Sequence, residues 1–168
     1  MKKILSIVFV ISILLTSVFC IPANASYDDV MEEMGLYSDC VLLVSSDNSE
    51  VIFEKNAGKQ TSPASLTKVI TATVVLENCK NLNQLVTVQE SSIRELDGTG
   101  SSLGGIQAGE QISVYDLLCN LLMQSANEAA TALADFISNN DRAKFIEMMN
   151  ELAERLGCKN SHFVNPHG

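Results

Sequence analysis

Apolar and polar positions divide the chain into segments with the spacing of strands and segments with the spacing of helices. Two strand-like runs come first: residues 40–44 are nearly all apolar, and residues 51–53 are β-branched and aromatic. The polar residues 46–49 between them predict a turn, so the pair is expected to form a β-hairpin. Because the first run lacks polar alternation, we expect both of its faces to be buried.

A helix with one buried face is predicted after Pro63. Apolar positions recur there at i, i+3, i+4, i+7 and i+8, at Leu66, Val69, Ile70, Thr73 and Val74. The β-branched composition of this segment is typical of burial rather than of high helix propensity. We therefore expect this helix to cross the centre of the protein.

Three further helices are predicted in the second half of the chain, and residues 85–88 and 111–112 have the composition of strands. Ser113 with Asp116 resembles a capping box, Asp141 is expected to cap the last helix, and Gly157 should end it. The predicted core positions are Val114, Leu117, Leu118, Leu121 and Leu122, then Ala129, Ala132, Leu133, Phe136 and Ile137, then Phe145, Met148, Met149, Leu152 and Leu156.

The first 25 residues have the layout of a secretory signal peptide. Lys2 and Lys3 precede an apolar run over residues 4–19, and Ala23-Asn24-Ala25 provides an A-x-A cleavage site. An uncleaved membrane anchor is the alternative, which the A-x-A sequence disfavours. We expect an exported protein whose residues 26–168, beginning with a short amphipathic stretch to Met34, have the length of one domain.

The mature chain is strongly acidic. Cleavage removes two lysines and no acidic residue, so the formal net charge changes from −9 to −11. Such a surface repels polyphosphate, and nucleic acid is therefore not an expected partner.

Four cysteines remain after cleavage, namely Cys40, Cys79, Cys119 and Cys158. Export permits disulfides, and three pairings are open. None of the four lies in a CxxC pair, so no zinc site is expected. We favour unpaired cysteines in the core, where a thiol behaves as a small hydrophobic group.

Ser65 and Lys68 form the first pair of candidate catalytic residues. Three residues apart at a helix start, their side chains share one face, so the amine can reach the hydroxyl. Serine becomes a good nucleophile only when a base removes its proton, and burial favours the neutral amine that such a base requires. A lone Ser-x-x-Lys is common by chance, and the alternative is a solvated surface lysine.

Ser125-Ala126-Asn127 is the second such element, placed between two predicted helices. Helix capping is the alternative here, since Ser and Asn are favoured N-caps and Glu128 suits the first turn. An S-x-x-K followed about sixty residues later by an S-x-N matches the order of two of the three motifs of penicillin-binding proteins and serine β-lactamases.

Three segments carry a resemblance to the low-molecular-mass serine D-alanyl-D-alanine carboxypeptidases, and together they cover nearly all of the mature chain. SPASLTKVITA resembles the nucleophile segment of that family, GSSLGGIQAGEQISVYDLLCNLLMQSANEAATALAD its second-motif segment, and LGCKNSHFVNPHG the stretch after its helical part. The resemblance implies an α/β (α+β) fold: an antiparallel sheet flanked by helices, plus a helical subdomain. Residues 26–168 would be part of that catalytic domain, with the sheet incomplete at the C-terminus.

The resemblance also implies a role for each motif residue. Ser65 would be the acylated nucleophile, with its backbone N–H as half of an oxyanion hole, and Lys68 its proton acceptor. Ser125 would relay a proton to the leaving D-alanine, and Asn127 would bind the substrate carbonyl and Lys68. The implied substrate is a peptidoglycan stem peptide ending in D-Ala-D-Ala, with β-lactams as covalent inhibitors and no metal or organic cofactor.

Two departures from the family pattern bear on activity. Glu128 stands where the family often has Asp, and the third motif, Lys-Thr/Ser-Gly, does not occur in this sequence. The chain stops within Asn165-Pro166-His167-Gly168, and an isolated hairpin is marginal. We therefore expect a fragment that releases no D-alanine by itself, with membrane association only through a tail outside it.

Three alternatives stay open. A serine β-lactamase shares the acylation residues, but it needs a deacylating base such as a Glu after residue 156, and residues 158–168 contain none. A D,D-endopeptidase fits the same motifs. A truncated, non-catalytic wall-binding homologue is the alternative of another class.

Overall fold

The computed structural model describes residues 34–168 of the chain. The predicted signal peptide and most of the amphipathic stretch before Met34 lie outside the described residues. The chain divides into two compact units at Gln60 and Thr61. The prediction that residues 26–168 form one partial catalytic domain stays a prediction. No helix within the described part of the chain is both long and apolar enough to cross a membrane.

The first unit contains the predicted hairpin. Strand β1 (Val41–Val44) pairs antiparallel with β2 (Val51–Lys55), and the register shifts between Leu43 and Val44. The expectation that both faces of β1 are buried is wrong, because Leu42 is 57% exposed and Leu43 and Val44 are each 40% exposed. Among residues 34–168 this sheet has only two strands, so an apolar run that could fill a wider sheet stays largely uncovered.

The second unit is a cluster of helices with a second two-stranded sheet. A 3-10 turn (Ala64–Leu66) leads into helix α1 (Thr67–Asn78), followed by strand β3 (Leu85–Thr87) and a short helix α2 (Glu90–Arg94). Strand β4 (Gln111–Ser113) pairs antiparallel with β3. Helices α3 (Val114–Met123), α4 (Asn127–Ser138) and α5 (Arg142–Arg155) complete the unit.

Capping residues set the helix starts as predicted. Ser113 accepts a hydrogen bond from the backbone N–H of Asp116, and Asp141 accepts one from that of Lys144. Gly157 follows α5 with a φ of 83°, a conformation that costs glycine little. The three predicted C-terminal helices are therefore confirmed, whereas the five-residue helix α2 was not predicted.

Helix α4, rather than α1, is the central helix of the second unit. Nearly all of its residues are buried, and it packs against α1, α2, α3 and α5. Its alanines are small enough to let the neighbouring helices approach, and Leu133 and Phe145 fill the space between them with no exposed surface. Helix α1 also packs against α3, α4 and α5, but fewer of its residues are buried than those of α4.

The prediction of which residues of α1 are buried is also wrong in part. Leu66 is 73% and Val69 56% exposed, whereas Lys68 and Thr71 are buried together with Val74. Polar side chains can occupy a buried face when each finds a hydrogen-bonding partner there, and both of these do. Leu122 and Leu156, two further predicted core positions, are exposed as well.

The four cysteines of the described chain are free thiols. Cys40, Cys79 and Cys119 are partly exposed and Cys158 is exposed. The prediction that they are unpaired agrees with the structure, but none of the four is fully buried. Cys79 packs against the edge of the hydrophobic core, so the prediction of core positions is only partly right.

Candidate active site

The N-terminal end of α1 brings Ser65 and Lys68 into contact. Ser65 lies in the 3-10 turn, and Lys68 is in the first turn of α1. The Lys68 Nζ donates a hydrogen bond to the Ser65 Oγ at 3.1 Å. Ala64, directly before the serine, has a φ of +46°, which is uncommon for a residue with a side chain. The turn therefore presents the hydroxyl to the amine at the distance that proton transfer requires.

Lys68 is buried, with only 3% of its surface exposed. Burial lowers the pKa of the Lys68 amine below its ordinary value of 10.5, because an ammonium loses its hydration there. Its hydrogen-bond partners among the described residues are the Ser65 hydroxyl and the backbone carbonyl of His167, at 3.0 Å. The alternative of a solvated surface lysine is therefore wrong, and burial shifts the protonation equilibrium of the Lys68 amine toward the neutral form.

Ser125 completes the contact around the Ser65 hydroxyl. It lies between α3 and α4, and its Oγ donates a hydrogen bond to the Ser65 Oγ at 2.9 Å. Its φ of +55° is again uncommon for a serine. Ala126 is the N-cap of α4 and makes no side-chain capping bond, so the capping alternative for Ser125 is wrong.

Asn127 is the first residue of α4 and is buried, with 8% of its surface exposed. Its backbone N–H donates to the carbonyl of Ser102 at 3.0 Å. Within residues 34–168 there is no hydrogen bond between the Asn127 side chain and Lys68. The structure therefore brings Ser65, Lys68 and Ser125 together by side-chain contacts. Asn127 lies two residues after Ser125 in the same chain segment.

Glu128 is a residue of this region whose importance the sequence did not indicate. Its side chain is buried, and its Oε1 accepts hydrogen bonds from the backbone N–H groups of Gly104, Gly105 and Ile106 at 2.6, 2.9 and 3.3 Å. The carboxylate thus ties the loop before β4 to the start of α4. The paired glycines were the available signal, because backbone donors can approach a carboxylate most closely where no side chain intervenes.

The C-terminal residues are the second group that the sequence did not place at the site. The 165–168 segment (Asn165, Pro166, His167 and Gly168) lies against α1 through two hydrogen bonds. One is the bond from Lys68 to the His167 carbonyl, and the other runs from the Thr71 Oγ1 to the Pro166 carbonyl at 2.6 Å. Nothing in the local sequence predicts these contacts, since they join residues more than ninety positions apart.

A cavity of about 370 Å³ opens beside Ser65. Lys68 is the one charged side chain among the described residues that line it, and the rest of its wall is mainly apolar. The lining consists of Pro63, Ala64, Ser65, Leu66, Lys68, Val69, Leu121, Leu122 and Ser125. Residues 34–168 hold no cluster of three histidine, cysteine, aspartate or glutamate side chains that could bind a metal ion.

This arrangement has counterparts among known proteins. The sequence model of the D-alanyl-D-alanine carboxypeptidase family matches residues 29–168. The chain is 30% identical over its whole length to D-alanyl-D-alanine carboxypeptidase DacF of Bacillus subtilis, of which it covers 43%. It is 34% identical, over 79% of its length, to a D-alanyl-D-alanine endopeptidase of Pseudomonas aeruginosa, of which it covers 42%.

Solved structures show the same fold. Penicillin binding protein 5 of Haemophilus influenzae superposes with a TM-score of 0.71 at 32% identity, over 78% of this chain and 39% of that protein. D-alanyl-D-alanine carboxypeptidase DacD of Francisella tularensis gives 0.70 at 30% identity, over 79% and 32%. The chain therefore has the expected fold of penicillin-binding proteins and spans less than half the length of these relatives.

Proposed function

Since this chain belongs to the D-alanyl-D-alanine carboxypeptidase family, we propose that the protein is a serine enzyme that removes the terminal D-alanine of peptidoglycan pentapeptide. The observation that carries the proposal is the Ser65 hydroxyl held between a buried amine and a second hydroxyl. The Lys68 Nζ is 3.1 Å and the Ser125 Oγ 2.9 Å from the Ser65 Oγ. A nucleophile beside an oriented base is the arrangement that acyl transfer requires.

The acylation step follows from these contacts. The neutral amine of Lys68 accepts the proton of the Ser65 hydroxyl while the Oγ bonds to the carbonyl carbon of the penultimate D-alanine. The resulting oxyanion is stabilised by backbone N–H groups, of which that of Ser65 is one. The C–N bond to the terminal D-alanine then breaks, and its nitrogen receives a proton from Lys68 through the Ser125 hydroxyl.

Deacylation reverses the direction of proton transfer. Water attacks the ester carbonyl on Ser65, its proton passes to the neutral amine of Lys68, and the Ser65 Oγ leaves as a hydroxyl once it is protonated. The products are the shortened peptide, free D-alanine and the starting enzyme. Asn127 acts on the substrate side, where its amide binds the peptide carbonyl of the substrate.

We further propose that the protein acts at the outer side of the cytoplasmic membrane after cleavage of the leader at Ala25. Peptidoglycan lies in that compartment, and the A-x-A sequence supports export. β-Lactams are the proposed covalent inhibitors, because their strained amide presents the same kind of carbonyl to Ser65.

Covalent labelling with a fluorescent penicillin tests the proposal. The full-length gene product should be labelled once, and Ser65→Ala should abolish the label because no other hydroxyl contacts Lys68 among the described residues. Ser91→Ala is a matched control, since Ser91 is an exposed serine on helix α2. Its labelling should equal that of the wild type. Unchanged labelling of Ser65→Ala would refute the assignment of the nucleophile.

A D,D-endopeptidase is the second candidate, which the similarity to the Pseudomonas aeruginosa endopeptidase favours. The chemistry at Ser65 is the same in both reactions, and only the leaving group differs: free D-alanine in the carboxypeptidase and the amine of a cross-linked peptide in the endopeptidase. Comparing release of D-alanine from a pentapeptide with cleavage of a cross-linked peptide dimer distinguishes the two activities.

A further inference from the structure

Lys68 has a second hydrogen-bond partner that the proposed reaction leaves unused. Its Nζ donates to the backbone carbonyl of His167 at 3.0 Å. This bond is made by the 165–168 segment, which belongs to none of the helices. A buried amine is thus held between one reacting oxygen and one oxygen that cannot react.

The chemistry of the acceptor explains what this contact does. A neutral amine has two N–H groups and one lone pair, whereas a carbonyl oxygen can only accept. When one N–H points at the His167 carbonyl, rotation about the Cε–Nζ bond is fixed, and the lone pair can face the Ser65 hydroxyl. A carbonyl carries no formal charge, so it orients the amine while favouring the ammonium less than a carboxylate would.

Thr71 holds the segment in place from the same helix. Its Oγ1 donates to the Pro166 carbonyl at 2.6 Å, and the residue is fully buried. Thr71 follows Lys68 by three positions, so both side chains lie on one face of α1. Two consecutive carbonyls of the segment are therefore bound to two side chains on consecutive turns of the helix.

The segment also rests directly on the backbone before the nucleophile. Asn165 Oδ1 accepts hydrogen bonds from the N–H groups of His167 and Gly168 at 3.0 and 2.6 Å, which fixes the curve of the segment. A Cβ on Gly168 would lie 1.9 Å from the carbonyl oxygen of Ala64, and the glycine has a φ of +97°. Only a residue without a side chain permits this approach.

We propose that the 165–168 segment is a positioning element for Lys68. The His167 carbonyl orients the amine toward Ser65, and Thr71 and Gly168 hold that carbonyl in position. The proposal rests on the proposed function, because it takes Lys68 as the base of acylation. Thr71 touches no reacting atom and acts only through Lys68.

Acylation by benzylpenicillin in the full-length gene product tests this element. Rates measured over a range of concentrations separate the dissociation constant of the noncovalent complex from the first-order acylation rate constant. Thr71→Val keeps the shape of the side chain and removes the bond to Pro166, leaving a buried carbonyl unpaired. We expect the acylation rate constant to fall roughly tenfold or more, with the dissociation constant little changed. Thr71→Ser, which keeps the hydroxyl, should restore it.

Thr73→Val is the matched control on the same helix. Among the described residues its hydroxyl bonds only to the Val69 carbonyl one turn earlier, at 2.8 Å, and makes no hydrogen bond to the 165–168 segment. Its acylation rate constant should equal that of the wild type. Gly168→Ala is a second, independent variant, which should slow acylation by displacing the segment from Ala64.

The rate constant reports only on molecules that become acylated, so partial unfolding lowers the labelled amount and leaves this constant unchanged. Wild-type rate constants in both Thr71→Val and Gly168→Ala would overturn the inference. So would an effect confined to the dissociation constant, or a failure of Thr71→Ser to restore the rate. A wild type that benzylpenicillin does not acylate would instead overturn the proposed function, and this inference with it.

Discussion

The contact between Ser65 and Lys68 could be predicted from the sequence because it is local. Residues three apart at a helix start share a face whatever the rest of the fold does. The burial of Lys68 could not be predicted in the same way. One of its partners, the His167 carbonyl, comes from a segment 99 positions away. The lowered pKa that suits a base therefore depends on tertiary structure, and the local motif cannot reveal it.

Replacing Lys68 by arginine tests its role as a base at the residue scale. Arginine keeps the positive charge, but its guanidinium remains protonated at any accessible pH. Acylation should fall by about a hundredfold or more, as expected when a general base is lost. In the wild type, the acylation rate should rise with pH along a limb centred below 10.5, because burial lowers the pKa of Lys68 and the neutral amine is the reactive form.

Lys59→Arg is the control for this substitution, since Lys59 is exposed in the loop before Pro63. It should acylate like the wild type and keep the same pH limb. Near wild-type acylation by Lys68→Arg would show that the lysine contributes charge or packing rather than proton transfer.

At the scale of elements, periodicity identified the helices better than it identified their buried faces. The spacing predicted α1 and the three C-terminal helices, but it placed Leu66 and Val69 in the core and left Lys68 and Thr71 out. From sequence alone, a polar side chain is expected to be exposed unless a hydrogen-bond partner for it can be identified. The partners of Lys68 and Thr71 are backbone carbonyls more than ninety residues away in the chain. The five-residue helix α2 is too short for a periodic signal.

The attachment of the loop before β4 to helix α4 depends on Glu128. Glu128→Gln keeps the size of the side chain but replaces one carboxylate oxygen by an NH2 group. That group would either face the three N–H donors that bind Oε1 or take the place of Oε2, which is buried and has no hydrogen-bond partner among the described residues. An unsatisfied buried group of this kind costs about 1–3 kcal/mol. We expect the melting temperature to fall by roughly 2–12 °C for a domain of this size.

Glu147→Gln serves as the comparison, because Glu147 is exposed on α5 and should tolerate the change without a shift in the melting temperature. Equal melting temperatures for the Glu128 and Glu147 variants would show that the carboxylate does not hold the loop.

At the scale of the whole molecule, the family resemblance predicted what the hydrophobic pattern could not. The pattern alone assigned a buried strand to residues 40–44. In the described part of the chain this strand belongs to a two-stranded sheet, and Leu42, Leu43 and Val44 are exposed. The resemblance predicted the α/β fold of penicillin-binding proteins, with an antiparallel sheet and helices, and the structural comparisons confirm that fold.

The central claim is that Ser65 carries the substrate as an ester during turnover. Trapping the full-length gene product with a thioester analogue of the D-Ala-D-Ala peptide, followed by trypsin digestion and mass spectrometry, tests it most directly. Cleavage after Lys59 and Lys68 releases residues 60–68, which contain both Ser62 and Ser65. We predict that this peptide gains the mass of the acyl group and that fragmentation places the group on Ser65. An acyl group on Ser62 or Ser125, or turnover with no acylated peptide at any time, would contradict the account.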